Sequence, residues 1–168
     1  MNKSKKQRLL KLRSDIIDKC YKEKWIDAWF FPEYNGVKGY LGTQNIIFIG
    51  LNPSYGSFPD KYSKFFYEQL KQNGFQYAHI TDIVKIRQKN RSENELFRDK
   101  KIMKEQIDFL KKEFEIIRPK ITVALGNRCF YELKKYFEID LNIVKIRHYS
   151  SIRFPKNRRL FSQEIKQI

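Results

Sequence analysis

The stretch Asn45 to Asp60, NIIFIGLNPSYGSFPD, decides how this chain is read. Ile46, Ile47, Phe48 and Ile49 form an unbroken apolar run, the pattern of a strand buried on both faces. The run opens directly into Gly50-Leu51-Asn52-Pro53-Ser54. In an open α/β sheet, ligands bind beyond the carboxyl ends of the strands, so a polar turn in that place is where chemistry is expected. Asn52, set between Gly50 and Pro53, reads as a fixed hydrogen-bonding group. A second segment has the same build: Asn142 to Arg147 is a strand pattern that opens into His148-Tyr149-Ser150-Ser151.

Outward from these two strand ends, helical and extended patterns alternate. Leu9, Leu12, Ile16 and Cys20, with Leu10 and Ile17 beside them, predict an amphipathic helix over residues 3 to 24. Its start and outer face carry Lys3, Lys5, Lys6, Arg8, Lys11 and Arg13. Residues 26 to 44 read as an irregular or hairpin connection, and 61 to 73 as a helix ended by Gly74. Tyr77 to Ile86 is β-branched and predicts a strand, followed by a polar loop, KIRQKNRSENELFR. Met103, Ile107, Leu110, Phe114 and Ile117 predict a helix from about 99 to 118, stopped by Pro119. Ile121 to Leu125 and Ile143 to Ile146 complete the strands, with helices from Gly126 to Phe137 and from Arg159 to Ile168. Alternation of this kind predicts a three-layer α/β/α sandwich around a mostly parallel four-stranded sheet. One domain is expected over residues 1 to 168, with the basic helix of residues 1 to 25 packed upon it.

Composition narrows the function classes. A formal net charge of +16 in 168 residues points to a polyanionic partner, most often nucleic acid. Two cysteines, Cys20 and Cys129, and two histidines, His79 and His148, argue against a disulfide framework, a zinc site or an iron–sulfur cluster. No metal or other cofactor is expected. The basic N-terminus lacks an apolar signal core and no apolar run approaches membrane length, so a soluble cytoplasmic protein, by default a monomer, is expected.

Four motifs now line up in order: GLNPS at Gly50–Ser54, ITDIVKI at Ile80–Ile86, RPKITVALGNRCFYEL at Arg118–Leu133, and HYSS at His148–Ser151. Together they resemble the uracil-DNA glycosylase superfamily, in particular its mismatch-specific and single-strand-selective branches. The resemblance spans residues 45 to 155. It implies an α/β/α sandwich that flips a nucleotide from DNA and hydrolyses the bond between base and sugar, in repair or in defence against phage DNA with modified bases.

In that reaction the departing base gains negative charge and the sugar becomes cation-like. By resemblance His148 donates to the pyrimidine O2 and Asn52 holds the attacking water. Phe58 is the first candidate for stacking on the flipped base, and Tyr55 the second. Related glycosylases place Asn where this chain has Asp82. An ionised Asp only accepts hydrogen bonds and would repel uracil O4, so Asp82 points to a base bearing an amino group, such as a modified cytosine. The loop after His148 is implied to enter the duplex, with Arg153 and Phe154 as the wedge. Lys156, Arg158, Arg159, Ser54, Ser150 and Ser151 are the implied phosphate contacts. Lys85, Arg87, Lys89 and Arg91 form a second candidate basic stripe.

Two other classes compete. A catalytically inactive DNA-binding module of the same fold has no need of both Asn52 and His148. A nuclease would have to build its site from Asp60 and the Glu164-Ile165-Lys166 triplet, which falls on a predicted helix.

Overall fold

A computed structural model describes residues 4–25, 27–54, 56–87, 92–137 and 142–168. The elements run α1 (Lys5–Lys22), β1 (Ile46–Gly50), α2 (Lys61–Gln72), β2 (His79–Asp82), α3 (Glu93–Arg98), α4 (Lys100–Ile117), β3 (Ile121–Leu125), α5 (Asn127–Tyr136), β4 (Ile143–Ile146) and α6 (Pro155–Lys166). Short 3₁₀ turns lie at Gly39–Leu41 and Tyr149–Arg153. The four strands are all parallel, in the order β2-β1-β3-β4.

Alternate residues of β1 explain the three layers. Ile47 and Ile49 point into a core shared with α1, α4 and α5. Ile46 and Phe48 point into a second core with Phe65, Phe66 and Leu70 of α2 and Phe161 and Ile165 of α6. A strand buried on both faces needs apolar residues at every position, as this run supplies. Each fully buried Ile or Phe contributes about 1.5–3 kcal/mol, so the sheet is held from both sides.

Helix boundaries follow local chemistry. Ser4 and Gln7 form a capping box at the start of α1, and Asp60 with Ser63 forms another ahead of α2. Helix α4 ends where Arg118 turns left-handed (φ 51) before Pro119. Leu9, Leu12, Ile16 and Cys20 are buried against α4 as the stripe predicts, but Leu10 and Ile17 remain 44% and 45% exposed. Lys5 is not a free cation: its Nζ donates to the Ile117 carbonyl at 2.8 Å and caps the end of α4.

Two expectations are corrected. The strand predicted over Tyr77–Ile86 stops at Asp82. Beyond it, Ile83 N and Val84 N still donate to Gly50 O and Leu51 O, then Ile86 pairs antiparallel with Ala28. Within the predicted polar loop, α3 forms on a Ser92–Glu95 capping box, a signal present in the sequence as S-E-N-E.

Candidate active site

Because the strands are parallel, their carboxyl ends share one edge of the sheet. Chain order places β2 on one side of β1 and β3 on the other, so the topology switches beside β1. Such a switch opens a crevice. Two cavities meet there. A broad cleft of about 690 Å³ is lined by Leu51, Ile86, Leu96, Gly126, Arg128 and Ser150, among others. A narrow pocket of about 80 Å³ is lined by Trp29, Phe31, Phe58, Asp60, Asp82 and Tyr149, among others. Asn52, Pro53, Ser54 and His148 line both.

His148 is held in a defined state. Its Nδ1 accepts from Ser150 N at 3.1 Å and lies 2.8 Å from Ser150 Oγ. An accepting Nδ1 assigns the proton of the neutral ring to Nε2, leaving that nitrogen as a donor. Burial pushes the imidazole down to about 4, so the ring is neutral at ordinary pH. Tyr149 stacks on it at 4.3 Å and stacks in turn on Phe66 at 4.8 Å. Gly126, at φ 95, turns β3 into α5 against His148, where an added Cβ would lie 3.4 Å from the His148 Cβ.

Asp82 lines the narrow pocket, 5% exposed and in register with Gly50. A Cβ at Gly50 would collide with Asp82 Oδ1, which accounts for glycine there. Lys85 does not neutralise the carboxyl. Its ammonium donates to the backbone oxygen of Asp82 at 2.7 Å and pairs with Glu113 at 3.2 Å. Burial raises the Asp82 carboxyl to about 7; Lys85 pulls against this and Glu113 adds to it. Near neutrality the acid form is well populated, and an acid can donate as well as accept.

Asn52 is half-buried where the two cavities join, its Nδ2 3.5 Å from Pro53 O. Phe58 forms part of the pocket wall and also packs against Tyr67 (5.4 Å), Trp29 (5.8 Å) and Tyr34 (5.9 Å). Tyr55, Lys89 and Arg91 lie outside the described residues. Trp29 and Tyr149 line the pocket although their patterns carry no signal beyond aromaticity.

The basic residues divide. Lys85 is buried, 1% exposed, and cannot be a phosphate contact. Arg87 donates to Ser54 O and Gly56 O, both at 2.9 Å, and lies 5.2 Å over the Trp29 ring. It fastens the loop that follows Asn52. Arg87→Ala is expected to lower turnover about tenfold through a misplaced Asn52, with DNA affinity and its salt dependence unchanged. Single-turnover rates and binding titrations separate these; a weakened, less salt-sensitive affinity would instead mark a phosphate contact.

Arg147 pairs with Glu164 at 2.9 Å, so the basic run after β4 does have an acidic partner, supplied by α6. The Glu164-Ile165-Lys166 triplet lies on α6, as predicted, with Glu164 paired to Arg147, while Asp60 caps α2 through Oδ1. Among the described residues no group of three or more His, Cys, Asp or Glu could hold a metal ion. Ser151 Oγ is buried, not presented to a phosphate, and the Ser150 hydroxyl faces His148. Arg153, Phe154, Lys156, Arg158 and Arg159 are exposed beside the site, Arg153 lying 4.9 Å over the Phe154 ring. The first turn of α6 carries cations and no acid, the reverse of what the helix dipole favours.

No helix among the described residues is long and apolar enough to cross a membrane. No curated protein matches the chain. The family model of the uracil DNA glycosylase superfamily matches residues 39–167, all four strands and the strand ends that carry Asn52, Asp82 and His148. The chain belongs to the uracil DNA glycosylase superfamily, whose members are in general DNA glycosylases.

Proposed function

We propose that this protein is a monofunctional DNA glycosylase that hydrolyses the N-glycosidic bond of a flipped-out pyrimidine-type base and leaves an abasic site. The observation that carries this reading is the meeting, around one narrow pocket, of Asn52 after β1, Asp82 on β2 and His148 after β4. Asn52 holds a water against C1′ of the sugar; its amide orients that water and does not take its proton. His148 donates from Nε2 to O2 of the leaving base. A neutral donor at that place is strengthened as the base becomes anionic and needs no proton of its own to be lost. Phe58 stacks on the base, and Asp82 reads its far edge.

The exposed cations after His148 support a DNA-facing surface. Lys156, Arg158 and Arg159 meet phosphates, and Arg153 with Phe154 fills the gap left by the flipped nucleotide. Ser54 adds a hydroxyl at the pocket rim. Release of a modified cytosine would suit defence against phage DNA with modified bases; release of uracil would suit repair.

The test is a glycosylase assay in chelator, scoring alkali-labile breaks on single- and double-stranded oligonucleotides. The panel carries uracil, hypoxanthine, cytosine, hydroxymethylcytosine or glucosylated cytosine at one site. Base release dependent on Asn52 and His148 is expected. Silence across the panel with salt-sensitive DNA binding intact would replace this reading with an inactive binding module.

A further inference from the structure

Asp82 is placed to do more than read the base: its position gives it a chemical task. We propose that Asp82 is a general acid that protonates N3 of an amino-bearing, cytosine-type base as the base departs. This rests on the glycosylase reading and adds the substrate class.

The geometry supports a proton-carrying carboxyl. Asp82 is 95% buried yet borders the pocket shared by Asn52 and His148. Among the described residues no hydrogen-bond donor reaches its carboxyl oxygens, so these are left for a ligand. Gly50, having no Cβ, leaves the room that Asp82 Oδ1 occupies. The charged and titratable groups around it are Lys85 on its own segment, Glu113 of α4, Cys129 of α5, Tyr67 of α2, Asp60 before α2, and His148 and Tyr149 after β4. Only Lys85 among them is cationic at neutral pH, and its ammonium is taken by Glu113 and the Asp82 backbone. Burial therefore dominates, and the acid form persists to about pH 7.

A neutral carboxyl matches a cytosine edge twice: its O–H donates to N3 and its carbonyl oxygen accepts from the N4 amino group. The chemistry follows. The C1′–N1 bond breaks and its electron pair moves into the ring, while the Asp82 proton moves to N3. The base leaves as a neutral tautomer and Asp82 is left as a carboxylate. Water held at Asn52 adds to C1′ and loses a proton to solvent, from which Asp82 is reprotonated. His148 keeps its own proton throughout. Cytosine needs this assistance more than uracil does. Uracil spreads the developing negative charge over two carbonyl oxygens, whereas cytosine has an amino group in place of one. An amide at position 82 could hold either base but has no proton to give.

The experiment compares the wild-type chain with Asp82→Asn on hydroxymethylcytosine and uracil substrates, in single turnovers from about pH 5 to 9. Hydroxymethylcytosine release by the wild type should be level at low pH and fall about tenfold per pH unit above about 7. Asp82→Asn should lose about 100-fold or more on hydroxymethylcytosine below pH 7 and lose the alkaline fall. Thermal melts give a readout free of activity. A carboxyl whose folded pKa is raised costs stability as pH rises from about 4 to 7, so Asp82→Asn should melt progressively higher than wild type toward about pH 8 and equal to it near pH 4. Uracil release alone, or hydroxymethylcytosine release indifferent to Asp82→Asn, would overturn the proposal and leave the glycosylase reading standing. A melting gap that does not change with pH would also overturn it. No release of any base would end both.

Discussion

His148→Ala is expected to lower base release by about 100- to 1,000-fold while leaving DNA affinity within about threefold, because the donor it removes acts on charge that develops only in the transition state. Ser150 N and Oγ hold Nδ1, and Tyr149 stacks on the ring, so Nε2 is aimed before substrate arrives. Single-turnover release with equilibrium binding beside it measures the split. Equal losses in affinity and rate would mean that His148 only grips the substrate. The pH dependence is a second check. With the imidazole pushed down to about 4, the His148-dependent rate should be insensitive to its titration from about pH 8 to 5, changing only as pH approaches 4. Glutamine at position 148, which can donate but cannot stack in the same way, should recover part of the loss.

Glu113→Ala is the change expected to damage the fold most, by about 3–5 kcal/mol. The carboxylate is wholly buried between Lys85 Nζ at 3.2 Å and His79 Nε2 at 3.5 Å. His79 Nδ1 is in turn 2.6 Å from Tyr40 O, and Gln106 Oε1 accepts from Lys85 N at 2.7 Å. Burial pushes the Glu113 carboxyl up, but Lys85 and His79 pull harder and hold it below its ordinary value. Removing the carboxylate leaves the Lys85 charge buried, still donating to the Asp82 backbone oxygen. Denaturant unfolding measures the cost; a change below about 1 kcal/mol would show that water or a rearranged side chain replaces the carboxylate. The sign with pH is definite. A depressed carboxyl contributes stability that is full above the unfolded-state value near 4 and lost as pH falls through the folded value. Glu113→Gln should therefore unfold with a weaker acid dependence than wild type. Since Lys85 also holds the Asp82 backbone, both variants should disturb base release as well as stability.

Much of the architecture was legible because hydrophobic periodicity is local. The apolar run Ile46–Ile49, the stripe Met103–Ile117 and the β-branched Ile121–Leu125 each stated which faces are buried, and burial follows them. The carboxyl-end positions of Asn52 and His148 followed from the alternation of strands and helices, whereas Asp82, read inside a strand continuing to Ile86, is placed at a strand end only by the structure. The short helix α3 was missed although its capping box is written in the sequence, since six residues give too little periodicity to see.

What the sequence determined by itself was therefore the α/β/α sandwich, the family resemblance and the identity of the residues at the strand ends. The tertiary structure alone decided their chemical state and their partners. Lys85 reads as a surface cation until Glu113, 28 positions away, is packed against it, and the ion pair of Arg147 with Glu164 joins residues 17 positions apart. Asp82 reads as an anion until burial raises its carboxyl to about 7. Electrostatic energies depend on distance and solvent exposure between groups far apart in the chain, and no local pattern of residues encodes either.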